Sequence, residues 1–208
     1  MQALVESQAI RRPGETLRIL EIGSWAGGSA ITWGASLKAF NQSNGVVVCV
    51  DPWKPYFDPE KISALSSKVY REMADAIESG EIYQLFLHNI RSAGLNEIVI
   101  PLRGESTRIL PLLGQRTFDI IFIDGDHAYD AVKQDLQFCS PLLADGGILC
   151  GDDLEAQLSA VDDDFNKQNL HSDYIQDPKS GSFYHPGVTR ALSEFFTGTV
   201  SSYEGLWV

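Results

Sequence analysis

The chain is short of positive charge. Its 208 residues hold 16 lysines and arginines against 28 aspartates and glutamates, a formal net charge of −12. Such a surface repels phosphate backbones, and no Lys/Arg cluster offsets it, so nucleic acid is a poor partner. Cysteine is scarce too: Cys49, Cys139 and Cys150 are odd in number and lack a Cys-x-x-Cys spacing. They read as reduced, mostly buried small hydrophobes of a cytoplasmic protein. No apolar stretch approaches the ~20 residues that a membrane helix needs, so no membrane partner is expected. Residues 1–12 lack the basic-then-apolar pattern of a secretion signal.

With 44% hydrophobic residues, the chain suits one domain, 1–208, with a sizeable core. Five short apolar runs, several rich in Val and Ile, read as strands buried on both faces: Leu17–Ile22, 46–51, 98–102, 118–124 and 147–152. Helical patterns alternate with them at Gly28–Phe40, 62–77, 81–93 and 129–143, with a further helix at 187–196. This order predicts an α/β fold: a doubly wound, mostly parallel Rossmann-like sheet with helices on both faces. The apolar end, 200–208, reads as one or two edge strands, antiparallel to the rest. Two segments exceed normal loop length, 52–80 and 154–186, and stand where open α/β sheets place ligand lids. Within the second, Asp162, Asp163 and Asp164 read as a solvated acidic face.

Two groups of residues carry chemistry. The first is Glu21-Ile22-Gly23-Ser24-Trp25-Ala26-Gly27-Gly28-Ser29, directly after the first strand. Glycine allows a sharp turn and close approach to a ligand, and the next helix aims its N-terminal amides at a carboxylate. A dinucleotide site wants Gly-x-Gly-x-x-Gly; here Gly23 and Gly27 are four apart with Trp25 between, which crowds a pyrophosphate and argues against NAD or FAD. Asp51, ending the second strand, can accept hydrogen bonds from two ribose hydroxyls or cap a turn. Gly104-Glu105-Ser106, after the third strand, suits an adenine contact or a capped turn.

The second group is Phe118-Asp119-Ile120-Ile121-Phe122-Ile123-Asp124-Gly125-Asp126-His127, with Cys150-Gly151-Asp152-Asp153 ending the next strand. Neighbouring strands lie about 4.8 Å apart, so Asp124, Asp152 and Asp153 should converge at the sheet's C-terminal edge. Carboxylates that close are costly without a cation between them. Oxygen donors without His-His or Cys partners point to Mg²⁺, with Mn²⁺ or Ca²⁺ as alternatives. Capped helices and turns are the structural alternative for each aspartate.

Glu-x-Gly-x-x-x-Gly-x-Ser resembles the first motif of class I S-adenosylmethionine-dependent methyltransferases. Asp-Gly-Asp-His-Ala-Tyr, Leu-Leu-Ala-Asp-Gly-Gly-Ile-Leu and Gly-Asp-Asp resemble the metal-dependent macrocin-type sugar O-methyltransferases. The resemblance runs from about Leu17 to Asp153. It implies S-adenosylmethionine as cofactor, with Glu21, Gly23, Ser24, Gly27, Ser29, Asp51, Glu105, Ser106 and Asp124 around it. Gly23 and Ser24 would line its methionine part, Ser29 would bond its carboxylate and Asp51 its ribose. It implies a divalent metal on Asp124, Asp152 and Asp153. The family's base stands at Asp126 in some members and at His127 in others. An imidazole, with an unperturbed pKa of ~6.5, matches neutral pH better than an aspartate beside a cation, which slightly favours His127.

The function expected is O-methylation of a hydroxyl on a small molecule: a sugar, a polyol or a natural-product scaffold. The rivals are a metal-independent methyltransferase and a non-catalytic cofactor-binding module. Trp53, Tyr56, Phe57, Phe183, Tyr184 and His185 stand in the candidate lids, to touch the acceptor or to pack the loops. The acceptor's identity and the oligomeric state, a homo-oligomer included, stay open.

Overall fold

The apolar runs form the middle of a seven-stranded sheet in the computed structural model, which describes residues 1–54, 67–197 and 200–208. Strands β1 (Leu17–Ile22), β2 (Gly45–Asp51), β3 (Val99–Arg103), β4 (Phe118–Ile123) and β5 (Leu143–Leu154) all run parallel, in the order β3-β2-β1-β4-β5. The short strands β8 (Ser202–Tyr203) and β9 (Gly205–Trp207) extend the sheet beyond β5, and β9 pairs antiparallel with β5. This is the fold expected, edge hairpin included. All six residues of β4 are buried, as a central strand covered by helices requires.

Helices α1 (Gln2–Arg11), α2 (Gly28–Phe40), α3 (Ser67–Glu78) and α4 (Glu81–Ser92) precede β3, and the short α5 (Ser106–Ile109) follows it. One core layer carries Leu17, Ile19, Trp33, Phe86 and Phe122; the other carries Leu20, Ile121, Leu136, Val188 and Trp207. Successive residues of β1 and β4 thus serve opposite faces, as the period of two demands. The helix expected at 62–77 lies partly outside the described residues, which resume with α3; Tyr56 and Phe57 lie outside them too. Helix α6 (Tyr129–Cys139) stops short of the expected end at 143. Pro141 forces a 3-10 turn, Ser140–Leu142, in its place.

Helix α1 was not expected, because its residues carry no strong apolar stripe. It is held by polar contacts at its end: Arg12 pairs with the buried Asp119 at 2.5 Å and also donates to the Asp145 carbonyl.

The 154–186 insertion is built rather than loose. It holds helix α7 (Asp163–Gln168) and a two-stranded hairpin of β6 (Ile175–Gln176) and β7 (Phe183–Tyr184). The acidic run there is not simply a solvated face. Asp162 caps α7 by accepting the Phe165 N–H, and Asp163 pairs with Arg190 and Lys167, each at 2.5 Å; only Asp164 is left largely in water. Trp53 and Tyr184 are buried and pack their segments, whereas Phe183 is exposed.

Helix α8 (Pro186–Phe195) returns the chain to the sheet, with Pro at its first position and Gly187 next. A Cβ on Gly187 would lie 2.2 Å from the His127 carbonyl oxygen and 2.4 Å from the Tyr129 nitrogen. Only glycine lets this helix approach the loop after β4. Gly187→Ala should therefore cost about 1–3 kcal/mol through forced backbone shifts, roughly 2–12 °C at this length. Gly28→Ala, where a Cβ meets nothing within 4 Å, serves as the neutral comparison. Equal melting temperatures for the two variants would refute the close-approach argument.

Candidate active site

The chain leaves β1 for β2 on one side and reaches β4 on the other, so the sheet order reverses at β1. Ligands of open α/β sheets bind at the carboxyl ends of strands at such a point. A cavity of about 830 Å³ opens there, walled by Gly23–Trp25, Asp51–Lys54, Glu105–Thr107, Asp124–His127, Asp152 and Asp153.

The glycine loop is held from below by two carboxylates. Asp51 Oδ2 accepts the Ser24 and Trp25 backbone N–H groups at 2.9 and 3.0 Å, and its Oδ1 accepts that of Trp53 at 2.6 Å. Trp25 and Trp53 both sit at φ +45°, in the left-handed region that bulky residues avoid. The Asp51 bonds, with the Trp53 indole N–H donated to the Trp25 carbonyl at 2.8 Å, hold them there. Glu21 is fully buried and accepts the Ser24 hydroxyl at 2.6 Å. Burial pushes its pKa up, against the pull of that hydroxyl. Its Oε1 has no hydrogen-bond partner among the described residues.

Of the residues expected at the cofactor, Gly23, Ser24, Ser29, Asp51, Glu105, Ser106 and Asp124 line the cavity. Glu21 and Gly27 do not. Glu21 lies under the loop, and Gly27 takes φ +88° ahead of α2, facing the Phe86 ring. Both shape the loop. A residue not expected, Asp135 on α6, also lines the wall, and burial raises its pKa to about 6.

At the other end Asp124, Asp152 and Asp153 come together. Adjacent strand residues normally face opposite sides, yet Asp152 and Asp153 both reach the cavity. The cause is a register shift against β9 between Gly151 and Leu154, with Asp153 at φ +70°. Such bulges re-aim side chains near sites. Asp152 Oδ1 braces the turn by accepting the Asp153 N–H at 2.9 Å. Burial, and then the charges of Asp153 and Asp152, push Asp124 up to about 8.

His127 sits between two carboxylates. Its Nε2 lies 3.0 Å from Asp153 Oδ2 and its Nδ1 2.6 Å from Asp173 Oδ1. Burial alone would lower its pKa, but the hydrogen bonds to Asp153 and Asp173 win and raise it to about 11. His185 stands beside it, with ring centroids 4.4 Å apart, and its Nδ1 lies 3.0 Å from Glu155 Oε1. Sequence reasoning missed the roles of Asp173 and Glu155, which no local pattern marks. It placed His185 in a lid without seeing that α8 carries it to His127. Asp126 faces the cavity with Oδ1 fixed by the Ala128 N–H at 2.9 Å.

The family described as Methyltransferase domain matches residues 20–154, from the glycine loop through both aspartate strands. The chain belongs to this methyltransferase family. Solved structures agree on the fold. The O-methyltransferase NovP is 22% identical with a TM-score of 0.56, over 88% of this chain and 76% of that one. A Corynebacterium glutamicum protein is 18% identical with a TM-score of 0.53, over 99% and 77%. The O-methyltransferase TomG of Streptomyces achromogenes, solved in complex with SAM, is 20% identical with a TM-score of 0.50, over 93% and 66%. Across eight matched structures the chain spans 55–80% of the other protein's length, and 56% of the mycobacterial protein Rv0187. Curated protein sequences give no match. Among the described residues of this methyltransferase-family chain, no helix is long and apolar enough to cross a membrane.

Asp51 thus supports the loop itself, whatever it offers a ligand. Asp51→Ala should lower stability by at least roughly 1.5–3 kcal/mol, the weight of a single hydrogen bond to a charged group. A thermal melt without ligand reads this directly. An unchanged midpoint would mean that the loop stands without the carboxylate.

Proposed function

We propose that the chain is an S-adenosylmethionine-dependent O-methyltransferase acting on a small-molecule hydroxyl, assisted by a divalent cation. The observation that carries this reading is one cavity with the Gly23–Ser29 loop at one end and Asp124, Asp152 and Asp153 at the other. NovP and TomG, among the similar structures, are O-methyltransferases.

The cofactor fits the first end. Ser29 stands at the N-terminus of the 13-residue α2, where free amides favour a carboxylate. The Asp51 carboxylate lines this end, where it suits ribose hydroxyls, while Glu21 stays beneath the loop and shapes it. Glu105 and Ser106 wall the side assigned to adenine. Bound there, S-adenosylmethionine supplies a methyl group on a positive sulfur, open to in-line attack by an oxygen.

The cation fits the second end, because three carboxylates crowd one buried corner and hold Asp124 protonated near neutral pH without it. Asp124, Asp152 and Asp153 would hold it, as oxygen donors suited to Mg²⁺ or Mn²⁺. Its chemistry is to lower the pKa of an acceptor hydroxyl and to template two neighbouring oxygens.

Asp126 takes the acceptor proton in this reading. His127 was slightly favoured on pKa matching, but both its ring nitrogens already face carboxylates and its proton is held to about 11. An imidazole so placed fixes Asp153 instead of accepting a proton at neutral pH. Its positive charge also gives the metal-independent reading one supporting observation, since it neutralises part of the cluster by itself.

Transfer of labelled methyl from S-adenosylmethionine to a panel of sugars, vicinal diols and catechols tests the proposal. Chelation should abolish transfer, and Mg²⁺ or Mn²⁺ should restore it. Asp126→Asn should cut turnover by ~10²–10⁴-fold with cofactor affinity unchanged. Full activity under chelation would favour the metal-independent reading. Cofactor binding without transfer to any acceptor would favour a binding module.

A further inference from the structure

His127, Asp153, His185, Glu155 and Asp173 form a second cluster that shares Asp153 with the carboxylate corner. One ligand atom each from His127, Asp153 and His185 lies within 4.8 Å of the others. His127 Nε2 is 3.0 Å from Asp153 Oδ2, and His185 Nδ1 is 3.5 Å from Asp153 Oδ1 and 3.0 Å from Glu155 Oε1. A divalent ion with bonds of ~2.0–2.2 Å sets neighbouring donor atoms roughly 3–3.5 Å apart. These separations are therefore already those of a coordination polyhedron.

The outer contact has the matching form. A histidine that ligates a metal almost always hands its other ring N–H to a carboxylate or carbonyl, which fixes its tautomer and direction. His127 does this: Nδ1 meets Asp173 Oδ1 at 2.6 Å, which turns Nε2 toward Asp153. His185 is brought in by the glycine contact of α8 with the His127 backbone. The three candidate ligands are partly buried, 9–20% exposed in their side chains, and so lie within reach of ions.

We propose that His127, Asp153 and His185, with Glu155 beside them and Asp173 orienting His127, form a second divalent-cation site. Two imidazoles and a carboxylate suit Mn²⁺, Fe²⁺, Co²⁺ or Zn²⁺ and disfavour Mg²⁺, which keeps to oxygen. Asp153 bridges this site and the carboxylate corner. The ion would tie the 154–186 insertion to the ends of β4 and β5. The inference rests on the proposed function only for the identity of the neighbouring corner.

Co²⁺ added to the full chain in excess Mg²⁺ tests it, through the visible absorption of an imidazole-bound ion. One Co²⁺ should bind per chain despite the Mg²⁺. His185→Gln and His127→Ala should each weaken it at least tenfold, and Asp173→Asn by about 10–100-fold. His171→Ala, at an exposed histidine, and Asp124→Asn should leave it intact. Unchanged Co²⁺ affinity in His185→Gln, or displacement by Mg²⁺ at similar concentration, would overturn the proposal. Loss of Co²⁺ in Asp124→Asn would also overturn it, by placing the ion in the carboxylate corner. Methyl transfer enters none of these readings, so the two proposals can fail separately.

Discussion

Like charge at close range is the constraint on which the rest of this molecule turns. Asp124, Asp152 and Asp153 meet at the C-terminal edge of two neighbouring parallel strands, in a corner partly closed to water. Three carboxylates in that setting repel one another unless protons or cations stand between them. Without a metal the fold meets this in two ways. Asp124 holds its proton to about 8, and the His127 imidazolium pulls Asp153 below the ordinary carboxylate range against the effect of burial. The bulge before Leu154 exists at the same spot, turning two consecutive residues to one side and leaving Asp153 in a left-handed conformation. Strain of this kind persists only where its surroundings hold it. Here the Asp152 side chain accepts the Asp153 amide, and the Trp207 indole donates to the Asp152 carbonyl at 3.0 Å. The antiparallel edge hairpin is therefore part of the site's support.

The opposite end of the cavity follows another rule, that a loop carrying few side chains must be held by its backbone. Asp51 does this through the Ser24 and Trp25 amides, with carboxylate oxygens that a ligand would otherwise compete for, and Glu21 adds a bond from the Ser24 hydroxyl beneath. The two ends share one strand order. Because β1 lies between β2 and β4, its loop faces Asp51 on one side and Asp124 on the other. A Cβ at Gly23 would lie 1.9 Å from the Asp124 carbonyl oxygen, so the glycine loop and the aspartate strand can come this close only because residue 23 is glycine.

Much of this was legible in the sequence. The strands were, because parallel strands buried on both faces need unbroken Val and Ile runs. The aspartates at strand ends were, because adjacency in a parallel sheet brings them together without knowledge of the loops. Three things were not. The bulge leaves no mark in Cys150-Gly151-Asp152-Asp153, so nothing said that both aspartates would face one way. Glu21 and Gly27 belong to the motif but not to the cavity wall, since a motif records what a loop needs as well as what a ligand touches. The partners of His127 lie at Asp173 and His185, across an insertion whose path one sequence does not reveal. A pKa argument from an isolated imidazole therefore pointed to His127 as a base, and its neighbours reverse that preference.

The account centres on the carboxylate corner as a cation site, and the Asp124 carboxyl reports on it directly. Carbon-13 NMR titration of that carboxyl, in metal-free protein and again with Mg²⁺, measures the coupling. The account predicts titration near 8 in the metal-free chain and a fall below the ordinary aspartate value of ~3.9 once Mg²⁺ is present. An Asp124 that titrates identically with and without Mg²⁺ would contradict it, and the three aspartates would then be a structural cluster held by His127 alone.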